Sequence, residues 1–173
     1  RWVGHDGVAV LDGGWNAWLA ASYPITKQVP QVEAARFAAR PRSDLMLDAP
    51  AVAASLGQAG PLLLDARAPN RFRGENETLD PVAGHIPGAA NRYFQLNLDA
   101  DGRFKPAATL KQEFEELLGN NASPQVTHYC GSGVTACHNM LAMEIAGLAG
   151  SRLYPGSWSE WVSDRSRPVT AGS

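Results

Sequence analysis

A short apolar stretch, a glycine turn and a W-x-x-W segment occur twice in this chain. The first copy is Val10-Leu11-Asp12-Gly13-Gly14-Trp15-Asn16-Ala17-Trp18 and the second is Leu153-Tyr154-Pro155-Gly156-Ser157-Trp158-Ser159-Glu160-Trp161. Pro24-Ile25-Thr26 returns as Pro168-Val169-Thr170, which keeps the offset at 143 to 144 residues and places four of the five tryptophans in the pattern. An offset of that length is the size of a whole domain and not of a solenoid repeat. Residues 1–24 therefore read as the last strand and helix of a preceding domain, 25–36 as a linker, 37–170 as a complete second copy and 171–173 as a tail. Arg1 is not a methionine, and no signal-peptide pattern follows it. The chain is thus expected to start inside a longer protein, with the rest of the first copy missing.

Fifteen Lys and Arg against seventeen Asp and Glu leave a net charge of −2, so no basic field exists for a nucleic-acid backbone. Apolar runs such as Leu62-Leu63-Leu64 are far too short for a membrane span. Two cysteines, Cys130 and Cys137, cannot build a disulfide framework. A reducing compartment, the cytoplasm, is expected, with one thiol kept for its reactivity.

Strand and helix signals alternate through the second copy. Pro50 to Leu56 is a short helix with proline in its first turn and Gly57 as its stop. Leu62-Leu63-Leu64, ending at Asp65, is a buried strand. Ala66 to Pro81 is a loop, and Gly84 to Ala89 is a turn leading to Ala90 and Asn91. Thr109 and Gln112 suggest a capping box before the apolar Phe114, Leu117 and Leu118. Gln125 to Tyr129 is a strand, Ala136 to Leu148 a largely buried helix, and Arg152-Leu153-Tyr154 a last short strand. This order predicts an α/β domain with a parallel sheet covered on both faces. In such sheets the working residues lie beyond the carboxyl ends of the strands. Cys130 falls there.

Strand, C-G-S-G-V-T, then helix is the strongest chemical signal. Gly131 and Gly133 let the backbone turn sharply. A tight loop entering a helix turns its N–H groups around one point and favours a thiolate, or a persulfide, held there. Ser132 and Thr135 add hydroxyl donors, and Val134 is expected to pack. A C-x5-R phosphatase needs an arginine where Ala136 stands. A thiol peptidase needs a histidine base, and neither His128, two residues back on the strand, nor His138, on the following helix, is well placed. The spacings of His128, Cys130, Cys137 and His138 do not match a zinc knuckle. Persulfide chemistry needs only a cradled thiolate and an anion anchor, and no metal or organic cofactor.

The second copy resembles the rhodanese family of sulfurtransferases. C-G-S-G-V-T-A at Cys130–Ala136 is similar to the active-site loop of the 3-mercaptopyruvate sulfurtransferases. D-A-R-A at Asp65–Ala68, R-F-R-G at Arg71–Gly74, G-H-I-P-G-A at Gly84–Ala89 and Y-P-G-S-W-S-E-W at Tyr154–Trp161 extend the likeness to residues 37–170. The resemblance implies a five-stranded parallel sheet with helices on both faces. It implies Cys130 as the nucleophile, Gly131, Ser132, Gly133, Val134 and Thr135 as its cradle, and Arg71 as the donor's anion anchor. The implied reaction passes a sulfane sulfur from a small-molecule donor, 3-mercaptopyruvate in preference to thiosulfate, to a thiol or cyanide. The alternatives are a thiosulfate sulfurtransferase and a non-catalytic persulfide-carrier or binding module.

Two departures bear on the donor. The second arginine that usually follows R-F-x-G is absent from Glu75-Asn76-Glu77-Thr78-Leu79-Asp80, leaving Arg73 and Arg67 as substitutes, with Arg67 expected to pair within the scaffold. Gly131 and Ser132 stand where thiosulfate-using members carry Arg and Lys. His85 is expected to make a structural hydrogen bond, and Cys137 to pack within a buried helix.

Overall fold

A computed structural model of the chain describes residues 1–57, 61–119, 121 and 125–172. Its helices are α1 (Gly14–Ala20), α2 (Ala49–Ser55), α3 (Pro69–Phe72), α4 (Ala107–Leu118), α5 (Val134–Ile145) and α6 (Ser157–Trp161). The strands β1 (Leu62–Asp65), β2 (Ala90–Asn91), β3 (Val126–Tyr129) and β4 (Arg152–Leu153) form one parallel sheet in the order β2-β1-β3-β4.

Successive side chains on the central strands alternate between faces, and each face has its own core. Leu63 and Tyr129 pack with Ala49 and Val52 of α2 and with Trp158 and Trp161 of α6. Leu64 and Val126 pack with Leu110 and Phe114 of α4 and with Ala142 and Met143 of α5. The helices thus cover both faces, as the alternation predicts.

The sheet has four strands among the described residues, not five. Where a fifth would run, Met46 makes a single parallel bridge to Leu153, and Leu47 N–H donates to the Leu153 carbonyl at 2.8 Å. The chain cannot extend further there, because Asp48 already caps α2 by accepting from Ala51 N–H at 2.9 Å.

Several local expectations also change. Thr109 does not cap α4, which starts at Ala107 behind Pro106; a proline can hold the helix entry without a side-chain cap. The expected loop Ala66 to Pro81 contains the single turn α3, again begun by a proline. Helix α5 starts at Val134 and buries only one face, through Ala136, Asn139, Ala142 and Met143. Val134 is 73% exposed, and Cys137 is exposed rather than packed in a buried helix.

Thr170 belongs to the fold, exchanging backbone hydrogen bonds of 2.7 and 3.0 Å with His85. Gly172 of the expected tail donates to the Arg73 carbonyl at 2.9 Å. Ser173 lies outside the described residues.

The two W-x-x-W segments make the same bond in different settings. Trp18 Nε1 donates to the Pro24 carbonyl at 3.1 Å, and Trp161 Nε1 donates to the Pro168 carbonyl at 2.9 Å. Trp158 and Trp161 are fully buried, whereas Trp15 is 58% exposed. Residues 1–12 run beside α5, with Asp12 accepting from Phe104 N–H at 2.9 Å. Residues 25–36 are exposed and without regular structure. No helix among the described residues is long and apolar enough to cross a membrane.

Candidate functional site

β3 ends at Tyr129, and Cys130 is the next residue, 2% exposed against Ala66 and Ala136. The start of α6 holds the cysteine loop from behind. Cys130 N–H donates to Ser157 Oγ, and the Cys130 carbonyl accepts from Trp158 N–H, each at 3.0 Å. The Gly131 carbonyl accepts from Ser159 N–H at 3.0 Å. Ser157 adopts a left-handed φ of 53°, a conformation costing a non-glycine residue about 1–2 kcal/mol. Its hydroxyl, also donating to the Tyr154 carbonyl at 3.0 Å, is fixed by the contact with Cys130.

Gly133 caps α5 with φ 83°, and a Cβ there would stand 2.6 Å from the Pro155 carbonyl oxygen. Only glycine fits. Among the described residues no protein acceptor takes the amide N–H groups of Gly131, Ser132, Gly133, Val134 or Thr135. These are the free donors of a loop that runs into a helix amino terminus.

A cavity of about 380 Å³ opens in front of this loop. Cys130, Gly131, Ser132, Val134 and Thr135 line it, together with Arg71, Asp80, Tyr93 and Phe94. The volume suits a small molecule. Cys130 and Arg71 therefore meet, and Gly133 shapes the loop from outside the lining.

Arg71 is held by a residue that the sequence did not single out. Glu77, 2% exposed at its side chain, accepts from Arg71 Nη2 at 2.8 Å and from Nε at 3.1 Å. Asp80 Oδ2 lies 3.3 Å from the same Nη2. The remaining nitrogen, Nη1, lies 3.6 Å from where a Gly131 Cβ would be and donates to no other group among the described residues. The carboxylate fork thus leaves one N–H face turned to the loop. Burial would raise the Glu77 carboxyl, but hydrogen bonds from Leu79 N–H, Arg71 and Asp80 N–H outweigh it and hold it below the ordinary carboxylate range.

Arg67 is part of the scaffold, as expected. It is buried, donates to Asp65 at 2.7 Å and to the Gly84 carbonyl at 2.7 Å, and stacks 4.7 Å above the Trp158 ring. Burial works against its charge, yet the hydrogen bond and attraction to Asp65 prevail and raise its pKa. Arg73 pairs with Glu75 at 2.7 Å and does not line the cavity. Neither supplies a second anchor.

The histidines stand apart from Cys130's cavity. His85 stacks on Phe72 at 3.7 Å and its Nδ1 bonds the Phe72 carbonyl at 2.8 Å, the structural role expected of it. His128 is wholly buried with both ring nitrogens unpartnered, and burial lowers its pKa to about 3. His138 packs against Phe94 and Phe104. Cys137 Sγ donates to the Gly133 carbonyl at 3.4 Å, on the side of α5 facing residues 1–10. No three His, Cys, Asp or Glu side chains among the described residues converge as a metal site.

Against known proteins, residues 48–164 match the Rhodanese-like domain. The chain is 51% identical over 173 residues to a probable 3-mercaptopyruvate sulfurtransferase of Pseudomonas aeruginosa, covering 99% of this chain and 61% of that protein. It is 41% identical over 175 residues to a putative thiosulfate sulfurtransferase of Mycobacterium tuberculosis, covering 99% and 60%. The chain thus spans about three fifths of the length of these relatives. Among solved structures, the anaerobic ergothioneine biosynthesis enzyme from Chlorobium limicola superposes with a TM-score of 0.86 at 23% identity, over 99% of this chain and 43% of that one, a likeness of fold. The parallel sheet, the cysteine loop at the end of β3 and the match across residues 48–164 together make this chain a member of the rhodanese-like family.

Proposed function

We propose that the chain carries the sulfur-transfer site of a sulfurtransferase, with Cys130 as the nucleophile and persulfide carrier. The observation that carries this reading is the placement of Cys130 in one cavity with the Gly131–Thr135 loop and the free Nη1 of Arg71. The Cys130 thiolate attacks the sulfur of the donor. With 3-mercaptopyruvate the C–S bond breaks, the electron pair passes to carbon, a proton is taken up and pyruvate leaves. The persulfide rests on the loop N–H groups. An acceptor thiolate or cyanide then attacks the outer sulfur, the S–S bond breaks and the Cys130 thiolate is restored. No cofactor takes part in these steps.

The carboxylate of a keto acid matches the single free face of Arg71. Thiosulfate carries a second negative charge, and here Gly131 and Ser132 offer none to meet it, while Asp80 repels it. The preferred donor is therefore 3-mercaptopyruvate. Residues 1–24 are read as the end of a preceding rhodanese-like copy, on the strength of the matching Trp18–Pro24 and Trp161–Pro168 bonds. In the whole protein that copy closes the mouth of the cavity, where Val134 is exposed, and excludes water from the donor. Both cysteines are free thiols, which suits the cytoplasm.

Measuring kcat/KM with each donor, cyanide as acceptor, on this chain and on a whole two-copy relative tests the reading. The whole protein should favour 3-mercaptopyruvate, and this chain should use both donors less well, with 3-mercaptopyruvate losing more. A whole protein that strongly favours thiosulfate would show that loop charge does not set the donor.

A further inference from the structure

Phe94 lines the cavity of Cys130 and packs against the cluster of Ala66, Cys130 and Ala136. It begins a single 3-10 turn, Phe94–Asn97. In that turn Leu96 is exposed while Asn97 beside it is wholly buried, the reverse of what their polarity favours. Burying an amide is costly unless each of its groups finds a partner.

Asn97 finds all of its partners. Its Oδ1 accepts from Arg92 Nε at 3.2 Å and from Nη2 at 3.1 Å. A guanidinium only donates, so the amide oxygen is committed to Arg92 and the nitrogen faces α5. There Asn97 Nδ2 donates to Asn139 Oδ1 at 2.7 Å, while Asn139 Nδ2 donates to the Arg92 carbonyl at 2.8 Å. Asn139 is also wholly buried. The second N–H of Asn97 lies 3.3 Å from His138 Nδ1. That nitrogen must then carry a lone pair, which makes His138 the neutral Nε2–H tautomer. Burial keeps the His138 pKa below its ordinary value, and the ring stands edge-on to Phe94 at 5.4 Å. Arg92 is held in turn by Glu113 of α4 at 2.6 Å.

We propose that Asn97 and Asn139 are positioning residues for the loading of sulfur onto Cys130: the amide pair holds Phe94 in place against the nucleophile and so sets how the donor's sulfur approaches it. The inference rests on the reading of Cys130 as the persulfide carrier. Val134 and Thr135 of the cysteine loop begin α5 and Asn139 lies further along it, so the loop and Phe94 are fixed to one helix. An apolar contact between the turn and α5 would let the two slide, whereas a satisfied pair of amide hydrogen bonds fixes their register. Arg71 takes no part in this network; its partners are Glu77 and Asp80. Losing the pair therefore leaves the donor's anchor in place and disturbs the approach of its sulfur.

The test follows a single turnover of sulfur loading from 3-mercaptopyruvate by mass spectrometry of quenched samples. Two quantities are read, the loading rate at saturating donor and the donor concentration that gives half that rate. Asn139→Ala removes both bonds to the 92–97 segment and keeps a good helix former in α5. It should load at least about tenfold more slowly, with the half-saturating concentration within about threefold of the parent, because a misplacement of about 1 Å costs up to about 100-fold in rate. Leu118→Ala, in the core between the sheet and α4, controls for lost stability and should leave both quantities within about twofold. An unchanged rate in Asn139→Ala, a change confined to the half-saturating concentration, or an equal loss in Leu118→Ala overturns the positioning role. Should Asn139→Ala fail to fold, nitrogen-15 NMR of His138 in the unmodified chain decides: a bare Nδ1 with the proton on Nε2 at neutral pH supports the network, and a proton on Nδ1 overturns it. Absence of sulfur on Cys130 of the parent overturns the underlying reading instead.

Discussion

Gly133→Ala is the sharpest probe of the cysteine loop, because two independent penalties meet at that residue. Its φ of 83° lies in the left-handed region, which costs a residue with a Cβ about 1–2 kcal/mol. The new methyl would stand 2.6 Å from the Pro155 carbonyl oxygen, well inside ordinary contact, and forcing such overlap in a packed region costs about 1–3 kcal/mol. Pro155 cannot retreat easily, because Tyr154 N–H is bonded to the His128 carbonyl at 2.9 Å and Ser157 is tied to Cys130 at 3.0 Å. Together the penalties amount to about 2–5 kcal/mol, which for a domain of this size lowers Tm by about 5–15 °C. The control is Gly131→Ala, whose Cβ would meet only Arg71 Nη1 at 3.6 Å and Nη2 at 3.8 Å. It should leave Tm within about 2 °C while weakening donor binding, since the methyl intrudes on the free face of Arg71. Thermal unfolding of both variants by circular dichroism decides the matter. A Gly133→Ala protein as stable as its parent, or a Gly131→Ala protein that is the less stable of the two, refutes the account of the loop.

Arg71→Lys should raise the donor KM at least about tenfold with the fold intact, because an ammonium cannot fill the Glu77 fork and still present a donor to the loop; steady-state kinetics with both donors checks it. His128 should make the chain acid-sensitive. Its folded pKa of about 3 lies below the ordinary 6.5, so its contribution is complete above about pH 6.5 and is lost as pH falls, at up to about 1.4 kcal/mol per pH unit until the lowered pKa is reached. Urea unfolding between about pH 6.5 and 4 should therefore be flatter for His128→Leu than for the parent. Trp158→Ala should cost about 3–5 kcal/mol as a core deletion, while Trp15→Ala, at a residue 58% exposed, should stay within about 0.5 kcal/mol; chemical denaturation of both checks whether residues 37–170 are stable without help from α1.

Much of this was legible in the residues, for a physical reason. The runs Leu62–Asp65 and Val126–Tyr129 are short, apolar and bounded by breakers, and buried parallel strands must look that way. The glycines after Cys130 signal a loop that turns sharply, and at Gly133 a side chain is barred. What escaped depends on contacts across the fold. Glu77 and Asp80 sit in a polar stretch, and only the folding back of that stretch onto α3 brings them to Arg71. Ser157 looked like one residue of a tryptophan motif, and its hydroxyl matters because α6 packs behind the loop. Helix α5 is buried on one face only, the face on which Asn139 points inward. There it accepts from Asn97 at 2.7 Å and donates to the Arg92 carbonyl at 2.8 Å, while Val134 and Cys137 face out. The fifth strand was expected from likeness alone, and here the Asp48 cap leaves it a single bridge.

The central claim is that one particular sulfur atom carries the transferred sulfur. Treating the chain, Cys130→Ser and Cys137→Ser with 3-mercaptopyruvate and mapping added sulfur by intact-protein and peptide mass spectrometry tests it most directly. One added sulfur atom should appear on the Cys130 peptide of the parent and of Cys137→Ser, be removed by cyanide as thiocyanate, and be absent from Cys130→Ser. Sulfur found on Cys137, or persisting when Cys130 is replaced, would contradict the account.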